Sequence, residues 1–235
     1  GGVGKTVVSV NLGFALMRLN QKVLVVDGDL KLSGIASQLG MYDFRLTLND
    51  VLNGNGSLIN AIYIHHSGLR IIPASLEVKD SNISALFEVL RSFWMDGFLI
   101  LDTPPGLDEN LKILKVCDEI ILVTTPEVPC LTGILKFLSI FEEREKIRGL
   151  LVNKWKKGRI DPKDIQEITG LRILGVLPED KIVEKSLVKR VPAVYLKPSS
   201  KFSKAVEKVA EGLAGIEYPT ISIWSLLKSK LFGRV

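Results

Sequence analysis

The first six residues, Gly1-Gly2-Val3-Gly4-Lys5-Thr6, have the glycine spacing before Lys-Thr that is typical of a phosphate-binding loop. Glycines let successive backbone N–H groups turn inward around phosphate oxygens, and the helix that follows presents its N-terminus to the anion. Lys5 would add a positive charge, and Thr6 a hydroxyl ligand for Mg²⁺. A simple glycine-rich turn is the alternative, but Lys-Thr at the required position favours a nucleotide site formed by all six residues.

Carboxylates follow two apolar segments further along the chain. Asp27 and Asp29 come after Val23 to Val26, and Asp102 comes after Phe98 to Leu101. Carboxylates at such positions can hold Mg²⁺ or orient a water molecule that attacks a phosphate. Each could instead be a turn-forming aspartate. Three of them downstream of a phosphate loop favour a Mg²⁺-dependent nucleotide site.

Apolar segments alternate with helix-like segments, which predicts an α/β fold with a doubly wound, mainly parallel sheet and helices on both faces. Ligands bind beyond the carboxyl ends of the strands in such sheets. The predicted strands are Val23 to Val26, Leu69 to Ile72, Phe98 to Leu101, Ile120 to Val123, Gly149 to Val152 and Ile173 to Leu177. Helices are predicted at Val7 to Leu19, Lys79 to Met95, Glu109 to Val116, Leu131 to Arg144, Pro162 to Thr169 and Ser199 to Leu213.

Composition limits the function classes without selecting one. The chain has 235 residues, a net charge of +5 and 46% hydrophobic residues, and no apolar run long enough to span a bilayer. Such a charge permits an anionic partner, either nucleic acid or a lipid surface. Cys117 and Cys130 form neither a metal spacing nor a disulfide framework, so we expect packing roles in a reducing cytoplasm. His65 and His66 are expected to be solvated surface residues, which argues against chemistry by a nucleophile–histidine pair.

The last fifteen residues contain three basic residues and no acidic one. At 100° per residue, one face of the predicted helix is apolar and three serines lie opposite, which is typical of a helix that lies in a lipid interface. The residues predicted to meet the membrane are Ile223, Trp224, Leu226, Leu227, Lys228, Lys230 and Leu231, although Lys230 lies within the apolar face. Docking of this helix on its own domain or on a protein partner is the alternative. The predicted organisation is a domain over residues 1–214, a linker over 215–220 and a membrane-targeting helix over 221–235.

These motifs together resemble the deviant Walker A ATPases, the family that includes MinD, ParA, the Mrp-type iron–sulfur carriers and the nitrogenase iron protein. The resemblance rests on GGVGKT, VLVVDGDL, LILDTPPGL, EIILVTTPEVPCLTG, LLVNKW and GVLPED, and it extends from Gly1 to about Leu213. TTPEVP, LPED and the basic tail together are most similar to MinD. The resemblance implies a P-loop NTPase fold of the SIMIBI type.

The resemblance also implies a role for each matching residue. Lys5 would contact the phosphates, Asp29 would position the attacking water, and Thr6 would ligate Mg²⁺ directly. Asp27 and Asp102 would hold the water shell of the metal. Asn153 would read the adenine edge, since an amide both donates and accepts hydrogen bonds. Pro178, Glu179 and Asp180 would close the base pocket, and the expected cofactors are ATP and Mg²⁺.

The start of the chain departs from the family pattern. In the family, a signature lysine directly precedes the residue equivalent to Gly1, and a central strand precedes the loop. We therefore expect a truncated start, with the first strand of the sheet missing, and poor folding of the chain as written.

The implied function is that of an ATPase that forms a homodimer with ATP, binds an anionic membrane through its tail and is released on hydrolysis. It would be cytoplasmic and peripheral to the inner face of the cell membrane, would position a division site or a polar structure, and would respond to a protein activator or inhibitor. A ParA-like ATPase that binds nonspecific DNA through Lys154, Lys156, Lys157 and Arg159 is one alternative. An iron–sulfur carrier is the other, but it would need clustered cysteines.

Overall fold

A computed structural model of the protein describes residues 2–77, 79–93, 96–106, 111 and 113–216. The strands are β1 (Val23–Asp27), β2 (Tyr63–Ile64), β3 (Arg70–Ile72), β4 (Phe98–Asp102), β5 (Ile120–Thr124), β6 (Ile147–Trp155) and β7 (Ile173–Pro178). The helices are α1 (Lys5–Arg18), α2 (Gly34–Leu39), α3 (Leu48–Leu52), α4 (Leu86–Ser92), α5 (Val128–Ile140), α6 (Pro162–Thr169), α7 (Lys181–Lys189), α8 (Ala193–Leu196) and α9 (Lys201–Leu213). Short 3-10 turns lie at Leu58–Ala61, Ile83–Ala85 and Arg144–Lys146.

The strands form one four-stranded sheet in the order β2-β3-β1-β4 and one three-stranded sheet in the order β5-β6-β7. Only β2 pairs antiparallel, against β3, among the pairs that the described residues form. The register of β1 and β4 places Asp27 directly beside Asp102. The predicted mainly parallel α/β fold is therefore confirmed.

Strand β1 explains why the sheet carries helices on both faces. All five of its residues are buried, and successive side chains of a strand point to opposite faces. Val23 and Val25 belong to a core with apolar residues of α1 and α9, whereas Leu24 and Val26 belong to a core with residues of α3 and α4. A continuous apolar run is what a strand covered on both faces requires.

A cavity of about 980 Å³ separates the two sheets. Apolar residues of the facing strands β4 and β5 line it together with side chains of α1 and α5, and Val3 and Lys5 also border it. Within the described residues no strand pairs with these two facing edges. The strand that the resemblance places before Gly1 stays a prediction, and it would lie between these edges.

Several element boundaries differ from the predicted ones. The helix predicted over Lys79 to Met95 is a 3-10 turn followed by the shorter α4, and the helix predicted from Leu131 begins at Val128 and ends at Ile140. Pro129 in the first turn of α5 marks that earlier start, because proline is tolerated there. Most of the helix predicted over Glu109 to Val116 lies outside the described residues. Helices α2, α3, α7 and α8 were not predicted, because they are short or interrupted by polar residues.

The prediction of solvated histidines is correct for His66 and wrong for His65. His65 is only 2% exposed, and its ring lies 3.9 Å from that of His66 between centroids, with the two ring planes tilted by 46°. Its Nε2 lies 3.1 Å from the carbonyl oxygen of Arg190, and burial lowers its pKa. Residues that cover His65 are about 125 positions away in the sequence, so local pattern could not reveal its burial.

Close packing of α1 on β1 gives a test of the fold. A Cβ added at Gly13 would lie 2.5 Å from Cγ2 of the buried Val25. We expect Gly13→Ala to lower the free energy of unfolding by about 1–3 kcal/mol, because overpacking outweighs the gain in helix propensity. Chemical denaturation measures this change.

Gly133→Ala in α5 is the matched control, because nothing lies within 4 Å of a Cβ at that position. It should leave stability unchanged or raise it by up to about 1 kcal/mol. Equal effects of the two substitutions would contradict the packing that places α1.

Candidate functional site

Two left-handed glycines shape the loop before α1. Gly2 has φ of 83°, and Gly4, the N-cap residue of α1, has φ of 90°. A Cβ at Gly4 would lie 2.5 Å from Nδ2 of Asn153, so the position excludes side chains both by conformation and by space. The first turn of α1 contains no acidic residue, and no side chain caps it. Its N-terminal backbone donors are therefore free of a side-chain cap, and an anion at the loop would be favoured there.

Asp27 and Asp102 lie side by side at the carboxyl ends of β1 and β4 and are almost completely buried. Asp27 accepts hydrogen bonds from the backbone of Ile35 (3.0 Å) and Asp29 (3.3 Å) and from the Ser33 hydroxyl (3.3 Å). Asp102 accepts one from the Ser9 hydroxyl at 3.0 Å. The carboxylates are thus fixed by the sheet and by polar groups on three neighbouring segments.

Burial raises the pKa of Asp27 from its usual value of 3.8 to about 8, with a further contribution from the charge of Asp102. Burial also raises the pKa of Asp102. Hydrogen bonds from Thr6 and Ser9 and the positive charge of Lys5 lower this pKa, but they offset the effect of burial only in part. Two buried carboxylates without full compensation favour a cation between them.

Thr6 lies at the same point. Its hydroxyl contributes to the environment of Asp102, and its Oγ1 would be 3.1 Å from a Cβ built on Gly34. Hydroxyl and carboxylate oxygens are the ligands that Mg²⁺ uses in phosphate sites. The donor set of Thr6, Asp27 and Asp102 therefore fits Mg²⁺ held together with phosphate oxygens and water. The described residues contain no group of three or more His, Cys, Asp or Glu side chains that could hold a metal alone.

Asp29 organises the turn after β1. Its Oδ1 accepts hydrogen bonds from the backbone N–H of Leu32 at 3.0 Å and of Lys31 at 3.4 Å. Its backbone N–H donates to Asp27 at 3.3 Å, and its charge adds to the factors that raise the pKa of Asp27 and Asp102, so the three carboxylates lie near one another. The structure thus brings Lys5, Thr6 and all three predicted aspartates together.

Residues predicted to surround the base lie at the ends of β6 and β7. Nδ2 of Asn153, a buried side chain, donates to the carbonyl of Val3 at 2.8 Å, so the amide contacts the phosphate loop itself. Pro178 pairs with Trp155 in the register of the two strands, and the N–H of Glu179 donates to the Trp155 carbonyl at 2.9 Å. These contacts place Pro178 and Glu179 beside the segment that carries Asn153.

The side chains of Glu179 and Asp180 have other partners. Glu179 forms an ion pair with Lys156 at 2.7 Å, and hydrogen bonding to that lysine lowers its pKa. Asp180 caps α7 by accepting from the Ile182 N–H at 3.0 Å, and it also accepts from the Phe202 N–H. Because their side chains are already paired, Glu179 and Asp180 would contact an adenine base through their backbone groups.

Three polar residues of the site were missed by sequence reasoning: Ser9, Ser33 and Lys154. Ser9 lies one helical turn after Thr6, so its position on the Thr6 face of α1 was a usable signal. Ser33 reaches back to Asp27 through an irregular turn, and Lys154 donates to the Gly2 carbonyl at 2.8 Å. Neither contact has a sequence periodicity that predicts it.

Some predicted residues cannot be placed. Gly1 lies outside the described residues, as do the predicted membrane residues Ile223, Trp224, Leu226, Leu227, Lys228, Lys230 and Leu231. Among the helices that the structure does describe, none combines the length and the apolar character needed to cross a bilayer.

Comparison with protein families gives a match over most of the chain. The model of the CobQ/CobB/MinD/ParA nucleotide binding domain matches residues 1–193. An uncharacterized ATP-binding protein of Methanocaldococcus jannaschii is 32% identical over 226 residues, which cover 93% of this chain and 86% of that protein.

Two solved structures extend the comparison. The septum site-determining protein MinD of Pyrococcus horikoshii, complexed with Mg-ADP, has a TM-score of 0.84 and 34% identity, covering 92% of this chain and 94% of the other. The MinC:MinD cell division protein complex of Aquifex aeolicus matches with a TM-score of 0.81 and 26% identity, covering 93% and 94%.

The raised pKa of Asp27 predicts how stability depends on pH. Between its unfolded pKa of 3.8 and its folded pKa of about 8, the folded chain binds one more proton than the unfolded chain. Stability without nucleotide and Mg²⁺ should therefore fall as pH rises from about 6.5 to 8, by up to about 1.4 kcal/mol per unit. Asp27→Asn should flatten this slope in urea denaturation with a chelator present.

Asp43→Asn, an exposed aspartate between α2 and α3, is the control and should retain the wild-type slope. An identical slope in wild type and Asp27→Asn would show that Asp27 is not the titrating group.

Proposed function

The chain belongs to the CobQ/CobB/MinD/ParA nucleotide-binding family and lies close to MinD within it. From this premise we propose that it follows a MinD-like cycle. ATP would hold two copies together as a dimer, the dimer would bind an anionic membrane through residues 221–235, and hydrolysis would release it. The cycle would position a division site or a polar structure from the inner face of the cell membrane.

Adjacent burial of Asp27 and Asp102 beside the phosphate loop is the observation that carries the ATPase part of this proposal. The loop would bind the phosphates of ATP through the backbone of Gly1, Gly2, Val3 and Gly4 and through Lys5. Mg²⁺, ligated by Thr6 and held through water by Asp27 and Asp102, would supply neutralisation of phosphate charge. Asn153 and the backbone of Pro178, Glu179 and Asp180 would surround the adenine.

Asp29 is proposed to orient the attacking water. It follows β1 by two residues and lies close enough to Asp27 for its backbone N–H to donate to that carboxylate. Hydrolysis requires mainly positioning and charge stabilisation, so a fixed carboxylate at this point is sufficient to hold a water molecule. Because the same carboxylate also orders the turn to Leu32, its two roles must be separated experimentally.

Asp29→Asn separates them, because an amide oxygen still accepts the turn hydrogen bonds but holds a water nucleophile poorly. We expect kcat for ATP hydrolysis to fall by about 10²-fold or more, with the Kd of ATP within about threefold of wild type. Single-turnover hydrolysis and equilibrium binding measure the two quantities.

Asp43→Asn, remote from the loop, should leave both quantities unchanged. If Asp29→Asn weakened binding as much as it slowed hydrolysis, Asp29 would act through the turn and not on the water.

The membrane part of the proposal rests on avidity. One short amphipathic segment binds a bilayer marginally, whereas two segments in a dimer make the second insertion effectively intramolecular. The segment follows α9, which ends at Leu213, by only a few residues. The MinC:MinD cell division protein complex supports, for this chain, the proposal of a protein activator or inhibitor.

Sedimentation with anionic liposomes tests this cycle. We expect the chain to bind vesicles at least about tenfold more strongly with a slowly hydrolysed ATP analogue than with ADP, because the dimer offers two segments. Removal of residues 221–235 should abolish the difference. Equal binding in the two nucleotide states would reject the switch.

The same tail-deleted protein distinguishes the DNA-binding alternative. In the basic loop, Lys154 donates to the Gly2 carbonyl, Lys156 pairs with Glu179, and Arg159 lies 3.5 Å from Glu127. These internal partners reduce the charge available to phosphates of DNA. DNA binding that persists without the tail and falls steeply with salt would favour the ParA-like alternative.

A further inference from the structure

Strand β6 ends in an irregularity at the residues that touch the phosphate loop. Its pairing with β7 shifts register between Val152 and Trp155, and Lys154 within that interval has φ of 55°. A left-handed conformation is unfavourable for a residue with a side chain, and it persists only where surrounding contacts enforce it. A structural or functional gain must offset this cost.

The irregularity changes the direction of one side chain. In a regular strand, consecutive side chains point to opposite faces, so Lys154 would point away from the loop that Asn153 contacts. Instead Nδ2 of Asn153 donates to the Val3 carbonyl at 2.8 Å, and Nζ of Lys154 donates to the Gly2 carbonyl at 2.8 Å. Bulges commonly redirect a side chain in this way beside functional sites.

We propose that Lys154 is a positioning residue of the nucleotide site, which the left-handed turn in β6 aims at the phosphate loop. Together with Asn153 it holds the Gly2 and Val3 carbonyls on the side of β6. Holding these carbonyls orients the peptides that follow, so that their N–H groups can face a phosphate. This role deepens the proposed function and rests on it, because it concerns the same nucleotide site.

The charge of Lys154 serves the same role. An ammonium group forms a stronger hydrogen bond to a carbonyl than a neutral donor does, and a positive charge beside the loop favours phosphate. Lys154 contacts Gly2, at the start of the loop, and not the later loop residues that would lie nearest the reacting phosphate. It therefore supports binding of ATP and ADP alike and contributes little to the hydrolytic step. Its loss should therefore change affinity and leave kcat nearly constant.

Lys154→Met tests the contact, because it retains the aliphatic stem and removes the ammonium group. We expect the Kd of both ADP and ATP to rise about tenfold, measured by fluorescence of a labelled nucleotide, with kcat at saturating ATP within about threefold of wild type. Lys154→Arg should recover most of the affinity. Lys157→Met, an exposed lysine of the same loop, has the same charge change and should bind like wild type.

Lys154→Gly separates positioning from structural support. Glycine relieves the left-handed strain, so the variant should have an unfolding midpoint equal to or above that of wild type, yet it should bind nucleotide as weakly as Lys154→Met. Asn20→Gly is the matched control, because Asn20 has φ of 60° and follows the C-terminal end of α1, opposite the phosphate loop. It should leave nucleotide affinity unchanged.

The outcomes separate this inference from the proposed function. Wild-type chain that binds neither ADP nor ATP would overturn both. Wild-type chain that binds nucleotide, with Lys154→Met binding equally well, would overturn the positioning role alone. A lower unfolding midpoint of Lys154→Gly with unchanged affinity would likewise show that the lysine only supports the fold.

Discussion

Two carboxylates placed side by side in a buried position constrain the rest of this site. The pairing of β1 with β4 is parallel and in register over five residue pairs, and its last pair is Asp27 with Asp102. Hydrogen bonds from Ser9 and Ser33 and from the backbone of Ile35 stabilise the charges only in part, because the pKa of each aspartate remains raised. Burial of these two carboxyl groups lowers the stability of the ligand-free protein above the pH at which they ionise in the unfolded chain. A bound cation would stabilise the ionised pair and displace the proton that Asp27 retains below a pH of about 8, so binding energy and folding energy are coupled at this point.

This coupling reaches the turn after β1. Asp27 holds both ends of residues 29–35, because it accepts hydrogen bonds from the N–H groups of Asp29 and Ile35 and from the Ser33 hydroxyl. Asp29 holds the middle of the turn. Gly34 in turn lies against Thr6. The charge state of Asp27 and the position of the Thr6 hydroxyl therefore act on the same short segment. At its surface is Leu32, an apolar side chain that is 71% exposed. The hydrogen bonds of Asp27 thus link the buried carboxylate pair to an exposed turn.

Local chemistry explains which features could be predicted from sequence. The strands other than β2 were predicted to within a few residues at their ends, because buried parallel strands need continuous apolar runs. The two-residue β2 was missed because it is too short to form such a run. Asp27 and Asp102 were predicted because carboxyl ends of parallel strands share an edge. Short helices such as α2 and α8 depend on packing against α1 and gave no signal of their own. His65 is buried by residues far along the chain, and Lys154 reaches the loop only through a left-handed turn. Both are consequences of tertiary structure that periodicity does not encode.

The phosphate loop and α1 together contact both sheets. Helix α1 packs on β1 and Asp102 of the first sheet, whereas the loop itself is hydrogen-bonded to Asn153 and Lys154 of the second sheet. Helix α1 also packs on α9, α9 packs on β7 of the second sheet, and apolar residues of both sheets belong to one core. A nucleotide bound by the loop and by the end of β6 would contact both sheets at once. Its binding energy would then stabilise the contacts between the two sheets.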